Sequence, residues 1–549
     1  MAPVIIKNYR TIATEKRAQR WDKIPKDWRI PEAQFQDALI NVMDIPVTCG
    51  LLNETERAIT SDYDATALLE KLKARVWSVE QVVVAFCKRA AIAQQLTNCL
   101  TEIFFDEAIE RARKLDLDHG GDKSREKDLP PLFGLPISLK DSFQVSGYDT
   151  STGLGCYTYQ PSEENSALAA MLTDLGAVLY CKTNLPQSIM TGDSDNNVFG
   201  RTLNPRNKML TAGGSTGGEG ALLALRGSIL GVGTDIAGSI RVPSVCNGIY
   251  GFRPSVGLVP HGGVRDLTPP GTDGVRSTAG PMATSLRDCA LFIKSILQAD
   301  TWRYDSTAIS VPWVSLKPAK HQLRIGLAEN DGVYTPSPPV RRGLKRAVDR
   351  LRQSNDIDII PITLSDVKLH CQDLVSYLTL SGSNYYHEQF ARTGEPVVPS
   401  LEAIGLLSVP GTTLQGLLDL NVRRAEAAKT YLKLFRDNSL DAILMPPAPH
   451  TAVPLDTWTA ATYTGLWNYL DYPAIVIPVD QVRDIDCADD LSNAKFGPDD
   501  ERLYRLYTGP EQYKGAPVCI QVVGYRHRDE ALTKTAAVLD SIINGNLST

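Results

Sequence analysis

Long apolar runs are missing from this 549-residue chain. Stretches such as "PAIVIPV" have strand length, well short of the ~20 residues a helix needs to cross a bilayer. The opening "MAPVIIKNYR" holds only a four-residue apolar run before charges begin, which excludes a secretory signal of the usual form. Blocks of one charge are missing too. Lys and Arg number 57 against 63 Asp and Glu, a formal charge of −6, so neither nucleic acid nor an anionic membrane is an expected partner. Ten cysteines are scattered from Cys49 to Cys519, with no C-x-x-C pair and no histidine at zinc-finger spacing. That pattern fits idle thiols in a reducing compartment, and a cytoplasmic location is expected. No G-x-x-x-x-G-K-[ST] and no H-E-x-x-H occurs, and Ile236 stands where a dinucleotide fingerprint starting at Gly231 needs its third glycine. No metal and no cofactor is called for.

What is present is an ordinary globular composition, 43% apolar and 22% charged, able to bury a large core. Residues 1–60 are mixed and Pro-interrupted and read as an N-terminal arm. Helices follow: Asp64 can cap "ATALLEKLKARV", Ser78 with Gln81 forms a capping box before "VVVAFCKRAAIAQQL", and "DEAIERARKLD" is a third. Strand-like segments then alternate with helices: "GLPISLKD", "AVLYCK" and "SILGVG", and later "LRIGLA", "DIIPIT", "DAILMPP", "YPAIVIPVD" and "APVCIQVVGY". Gly176 is placed to stop the helix "NSALAAMLTDLG". This alternation predicts an α/β fold, a central mixed twisted sheet with helices on both faces, as one large domain over residues 61–549. "DHGGDKSREKD" reads as a polar loop, and "DIDCADDLSNAKFGPDDE" as a solvated acidic excursion.

Three segments carry the chemistry. "PISLKDSF" puts Lys140 at a strand end, "TAGGSTGGEG" puts Ser215 and Thr216 between glycine pairs, and "TDIAGSIRVPS" puts Ser239 in a turn between Asp235 and Arg241. All three fall near the strand ends where open α/β sheets form sites. A serine hydroxyl is inert without a base, and the nearest histidine after Ser239 is His261. Lysine can supply the base. Neutrality at pH 7 costs a free lysine about 4.6 kcal/mol, and burial can lower its pKa by ~3–5 units. A neutral Lys140 can then take a proton from Ser215, and Ser215 one from Ser239, the relay reversing to protonate a leaving nitrogen. The N–H groups of Ile236, Ala237, Gly238 and Ser239 are placed to hold a developing oxyanion.

At this point "GGSTGGEG", "GVGTDIAGSIRVPS" and "GFRPS" resemble the amidase signature family of serine hydrolases, with the signature over about residues 130–260. "AFCKRAAIAQQLTNC", "GRTLNPRN" and "YKGAPVCIQVVG" extend the likeness to fungal general amidases of the acetamidase type. The resemblance implies a Ser–Ser–Lys triad of Ser239, Ser215 and Lys140, an oxyanion hole at Ile236 to Ser239, Asp235 and Arg241 as braces, and a cis Gly214–Ser215 peptide. It implies an amidase that cleaves a carboxamide C–N bond through an acyl-enzyme, acting on small aliphatic or aryl amides. Carbamates, esters or fatty amides are alternative substrates, homodimers are common in the family, and a silent or amidotransferase-type subunit is an alternative of another class. Thr216 stands where serine is common. Ala237 stands where glycine is common, a place that would be strained if it required positive φ.

Other readings compete. Gly213 to Gly217 satisfies G-x-S-x-G, which would make Ser215 a nucleophile served by Asp441 or Asp471 and His450 or His527. His387 in "NYYHEQF" lacks a second histidine at metal spacing and reads as a helix-face or pocket residue. Pocket walls are expected from "MTGDSDNNVF" and "TATYTGLWNYLD", where Tyr463, Trp467 and Tyr469 serve either an acyl pocket or the core.

Overall fold

The computed structural model describes residues 7–31, 40–119, 129–314 and 322–545. Among them, eleven strands form one sheet: β1 (Leu100–Ile103), β2 (Pro136–Lys140), β3 (Val178–Thr183), β4 (Leu230–Asp235), β5 (Tyr250–Arg253), β6 (Thr278–Ala283), β7 (Leu323–Leu327), β8 (Ile357–Pro361), β9 (Ala442–Met445), β10 (Ala474–Gln481) and β11 (Pro517–Val523). Their spatial order is β1-β3-β2-β4-β6-β5-β10-β11-β9-β7-β8. β2 runs parallel to β3 and β4, and β7 runs parallel to β8 and β9. The remaining neighbours are antiparallel, so the sheet is mixed, as expected.

Both faces are covered, and β10 and β11 show how. Ile475, Ile477 and Val479, with Val518, Ile520 and Val522, share one core with Leu344, Val348, Leu532 and Leu539 from the helices Pro338–Leu351 and Asp529–Asn544. The alternate residues point the other way. Val476 and Cys519 meet Val242, Val245 and Cys246, while Ala474 and Val523 meet Tyr463, Leu466 and Trp467. The period of two thus assigns each residue its face. Because both faces are buried, the central strands read as continuous apolar runs rather than alternating ones.

The predicted caps are in place. Asp64 accepts from the Ala67 N–H at 2.9 Å at the head of the helix Ala65–Lys73, and Ser78 and Gln81 close a capping box on Val79–Thr97. The helix Tyr9–Asp22 is joined to the body through buried Lys16, whose Nζ donates to Glu102 at 2.6 Å and to Asp149 at 3.0 Å. Asp149 in turn receives buried Lys182 on its carbonyl oxygen at 2.6 Å, and Lys182 lies 3.5 Å from Asp141, the neighbour of Lys140.

Two expectations need correction. The acidic excursion is not simply solvated: Asp486 and Asp500 are buried. Asp500 accepts from the N–H groups of Thr335, Lys495 and Phe496, and Asp486 pairs with Arg342, so the segment is clamped to the body. β1, β5 and β6 form where no strand was predicted. Of the polar stretch 118–128, residues 120–128 lie outside the described residues, and Asp118 and His119 close the helix Phe105–His119. No helix among the described residues is long and apolar enough to cross a membrane.

Candidate active site

Lys140 is the last residue of β2, and Asp235 the last of parallel β4, with Leu139 paired to Val232 between them. The same sheet edge therefore delivers Lys140, Thr234 and Asp235 together. Lys140 has no solvent exposure. Its Nζ lies 2.6 Å from Ser215 Oγ and 2.9 Å from Thr234 Oγ1. Burial pushes its pKa down to about 7, opposed by the charges of Asp266 and Asp235. A lysine in this state can hold or release a proton at neutral pH.

Ser215 is placed by glycines. The Gly214–Ser215 peptide is cis. A Cβ on Gly214 would sit 2.3 Å from the Thr191 carbonyl oxygen, so no side chain fits there. The Thr216 N–H donates to the Ser239 carbonyl at 3.2 Å and joins the two serine loops. The Thr216 hydroxyl is buried without a partner among the described residues.

Ser239 is half-buried in the turn between β4 and the helix Arg241–Asn247. Asp235 braces that turn from within. Its Oδ1 accepts from the Gly238 N–H at 2.8 Å and from Arg241 Nη2 at 3.0 Å, and its Oδ2 from Arg241 Nε at 3.0 Å. Burial alone would raise the Asp235 carboxyl, but the Arg241 guanidinium and Asn468 hold it well below the usual carboxylate range. The Gly238 amide is thus committed to Asp235, which corrects the expectation of four free amides. Among the described residues no protein acceptor takes the N–H of Ile236, Ala237 or Ser239. The left-handed φ of the turn falls on Gly238, at +131°, and Ala237 is absent from the positive-φ residues, so the extra methyl at Ala237 brings no backbone strain.

Two cavities meet at Ser239. The larger, about 530 Å³, is walled by Met190, Val242, Val333, Leu374, Leu378 and Trp458 among others, with Ile236 to Ser239 at its base. The smaller, about 20 Å³, holds Ser215, Thr234, Ser239 and Asp266 on its wall. A carbonyl seated at Ser239 can place an apolar substituent in the first and a small polar one in the second.

The family model described as Amidase matches residues 81–533. The chain belongs to the amidase family. The amidase is 38% identical over 550 residues to a protein named Amidase from Gibberella moniliformis, covering 97% of this chain and 99% of that one. It is 36% identical over 559 residues to an acetamidase of Emericella nidulans, covering 99% of each. Its fold matches a solved fatty acid amide hydrolase with a TM-score of 0.89 and 30% identity, over 98% of this chain and 97% of that one. It is an amidohydrolase of this family.

The competing G-x-S-x-G reading, with Ser215 as nucleophile, finds no support in the amidase. Ser215 is hydrogen-bonded to Lys140. His450 lies edge-on to Trp458 with Nδ1 on the Thr451 carbonyl, and Asp471 pairs with Arg253 and Arg526. His387 is an exposed helix residue. Met190, Thr191 and Gly192 line the large cavity as expected, but Tyr463, Trp467 and Tyr469 are buried core residues. Sequence reasoning missed Thr234, the second partner of Lys140, although it opens the quoted turn. It also missed Asn468, which donates to Asp235 at 2.9 Å, and Thr464, which donates to the Ala237 carbonyl at 2.6 Å. Both reach the turn from the helix Thr462–Leu470 with no local motif to announce them.

Proposed function

We propose that the amidase cleaves carboxamides of apolar acids through an acyl-enzyme on Ser239. The observation that carries this reading is the lysine: Lys140 is wholly buried, 2.6 Å from Ser215, with its pKa pushed down to about 7. Neutral Lys140 takes the Ser215 proton while Ser215 takes that of Ser239, as the Ser239 Oγ–carbon bond forms. The N–H groups of Ile236, Ala237 and Ser239 receive the oxyanion in this scheme, and Asp235 with Arg241 keeps the turn in shape. The relay then runs backward, the nitrogen gains a proton, and the C–N bond breaks. Water hydrolyses the ester on Ser239 by the same route.

The large cavity favours an apolar acyl group. Its volume of about 530 Å³ and its largely apolar walls suit a chain or ring larger than acetyl, so aliphatic and aryl amides of moderate size are the proposed substrates. Residues 61–549, which hold every strand of the sheet, are taken as one catalytic unit and residues 1–60 as an arm packed on it, with Lys16 bonded to Glu102 and Asp149 and Ile24, Val42 and Ile59 in the main core.

Ser239→Ala is expected to abolish turnover of a graded panel of amides and to lose labelling by a fluorophosphonate, while its melting temperature stays near the parent's. Retained labelling and turnover in a folded Ser239→Ala protein would remove Ser239 as nucleophile.

A further inference from the structure

The smaller cavity holds a charge that the reaction scheme has not used. Ser215 lines this chamber and not the larger one. Since Ser215 is the group that returns a proton to the departing nitrogen, the nitrogen must lie in the small chamber, and the acyl group in the large one. The chamber wall is otherwise hydroxyl and apolar: Ile189, Met190, Thr234, Leu267, Thr268 and Ser277. Its one carboxylate is Asp266.

Asp266 is held in place from behind. Its Oδ2 lies 2.9 Å from His261 Nε2. Its own N–H donates to the Val264 carbonyl at 3.1 Å. The next residue back, Arg265, turns away: its guanidinium donates to the Thr150 carbonyl at 2.7 Å and lies 4.4 Å from the Tyr157 ring centroid. No arginine or lysine forms an ion pair with Asp266 among the described residues. Asp266 Oδ1 thus has no hydrogen-bond partner among the described residues, on a residue that shares the chamber wall with Ser215 and Ser239. The chamber's volume of about 20 Å³ has room for about one water-sized group.

An amide nitrogen carries N–H donors, whereas the ester oxygen in the same position carries none. A site built to accept a hydrogen bond discriminates strongly against the isostere that lacks the donor. We propose that Asp266 is a specificity-determining residue, its carboxylate accepting an N–H of the scissile carboxamide and selecting unsubstituted amides over the ester of the same acid. The proposal rests on the reading of Ser239 as nucleophile and Ser215 as proton donor. After the C–N bond breaks, the same carboxylate holds ammonia until it leaves, and no covalent change occurs at Asp266.

The test compares the parent with Asp266→Asn and Asp266→Ala on hexanamide and methyl hexanoate, which share one acyl group. Hydrogen bonds to charged groups are the stronger kind, so kcat/KM for the amide is expected to fall roughly ten- to a hundredfold more than kcat/KM for the ester. Fluorophosphonate labelling of Ser239 and thermal melting show that each variant is folded, and the near-isosteric Asp266→Asn serves should Asp266→Ala be unstable. Equal losses on both substrates would overturn the role of Asp266. So would an equal displacement of both pH–rate profiles with no change in the amide-to-ester ratio, which would mark action through the charge on Lys140. A parent that hydrolyses neither compound, nor any amide of the graded panel, would instead refute the underlying reading of the site.

Discussion

Lys140 meets two hydroxyls where a buried lysine ordinarily meets a carboxylate. A charge without a counter-ion is expensive to bury, and the pKa falls to about 7 from 10.5 as a result. Between those two values the unfolded chain keeps a proton that the native protein has released. Native stability therefore rises with pH through that window, and below it the native protein carries the whole burden of a buried ammonium. Lys140→Met, similar in length and apolar, is expected to be more stable than the parent near pH 6 by several kcal/mol, about 5 at most, with the advantage shrinking toward pH 10. Urea unfolding at a series of pH values checks this. Parent kcat/KM for an amide is expected to rise with an apparent pKa near 7. Lys140→Ala is expected to lose that limb and to recover some activity at high pH, where hydroxide replaces the proposed base. A Lys140→Ala profile matching the parent's would end the relay.

The turn from Asp235 to Arg241 is a unit that cannot be loosened at one point without disturbing the rest. At Gly238 a Cβ would lie 2.4 Å from Thr464 Oγ1 and 2.9 Å from Thr464 Cβ, at a φ of +131°. Gly238→Ala must therefore push the helix Thr462–Leu470 away or twist the turn, and either movement displaces the amides of Ile236, Ala237 and Ser239, the proposed oxyanion donors. A displacement on the order of 1 Å can cost about a hundredfold in rate, so kcat is expected to fall by roughly that factor with KM little changed. Steady-state kinetics on one amide decides it, and parent-like kcat would show that the turn is not held so tightly. The turn was legible in the sequence because its polar and glycine residues are contiguous. The loss of the Gly238 amide to Asp235 was not, since acid and amide are three residues apart and only the folded geometry shows which N–H faces inward. Asn468 and Thr464 were beyond reach for another reason: they arrive from more than two hundred residues away.

Across the whole sheet, the strands with branched apolar runs were legible and those without were not. β6, "TAGPMA", contains glycine and proline, which ordinarily argue against a strand. Yet a Cβ on Gly280 would approach the Phe252 carbonyl oxygen to 2.2 Å, so the small residue is what lets β6 come close to its neighbour. β1 and β5 have four residues each, too few to establish a period, and lack the continuous apolar run that marks the equally short β9. In the acidic excursion, charge pointed to solvent, but Asp500 is satisfied by backbone N–H groups it could meet only after folding.

The first helix acts as a latch on this sheet. Lys16 reaches inward to Glu102 and Asp149, and from Asp149 polar contacts run through Lys182 to Asp141, the residue beside the proposed base Lys140. Removing one partner of a buried pair is more costly than never having had the pair. A protein trimmed to begin at Lys23 would lose the helix Tyr9–Asp22 and take the lysine from both carboxylates, leaving Asp149 with the N–H groups of Tyr159 and Gln160 and Glu102 without its ion pair. Limited proteolysis that clips this end is expected to lower the melting temperature by several degrees and to silence turnover in step with the clip, so that a cut at the margin of the chain reports at its centre.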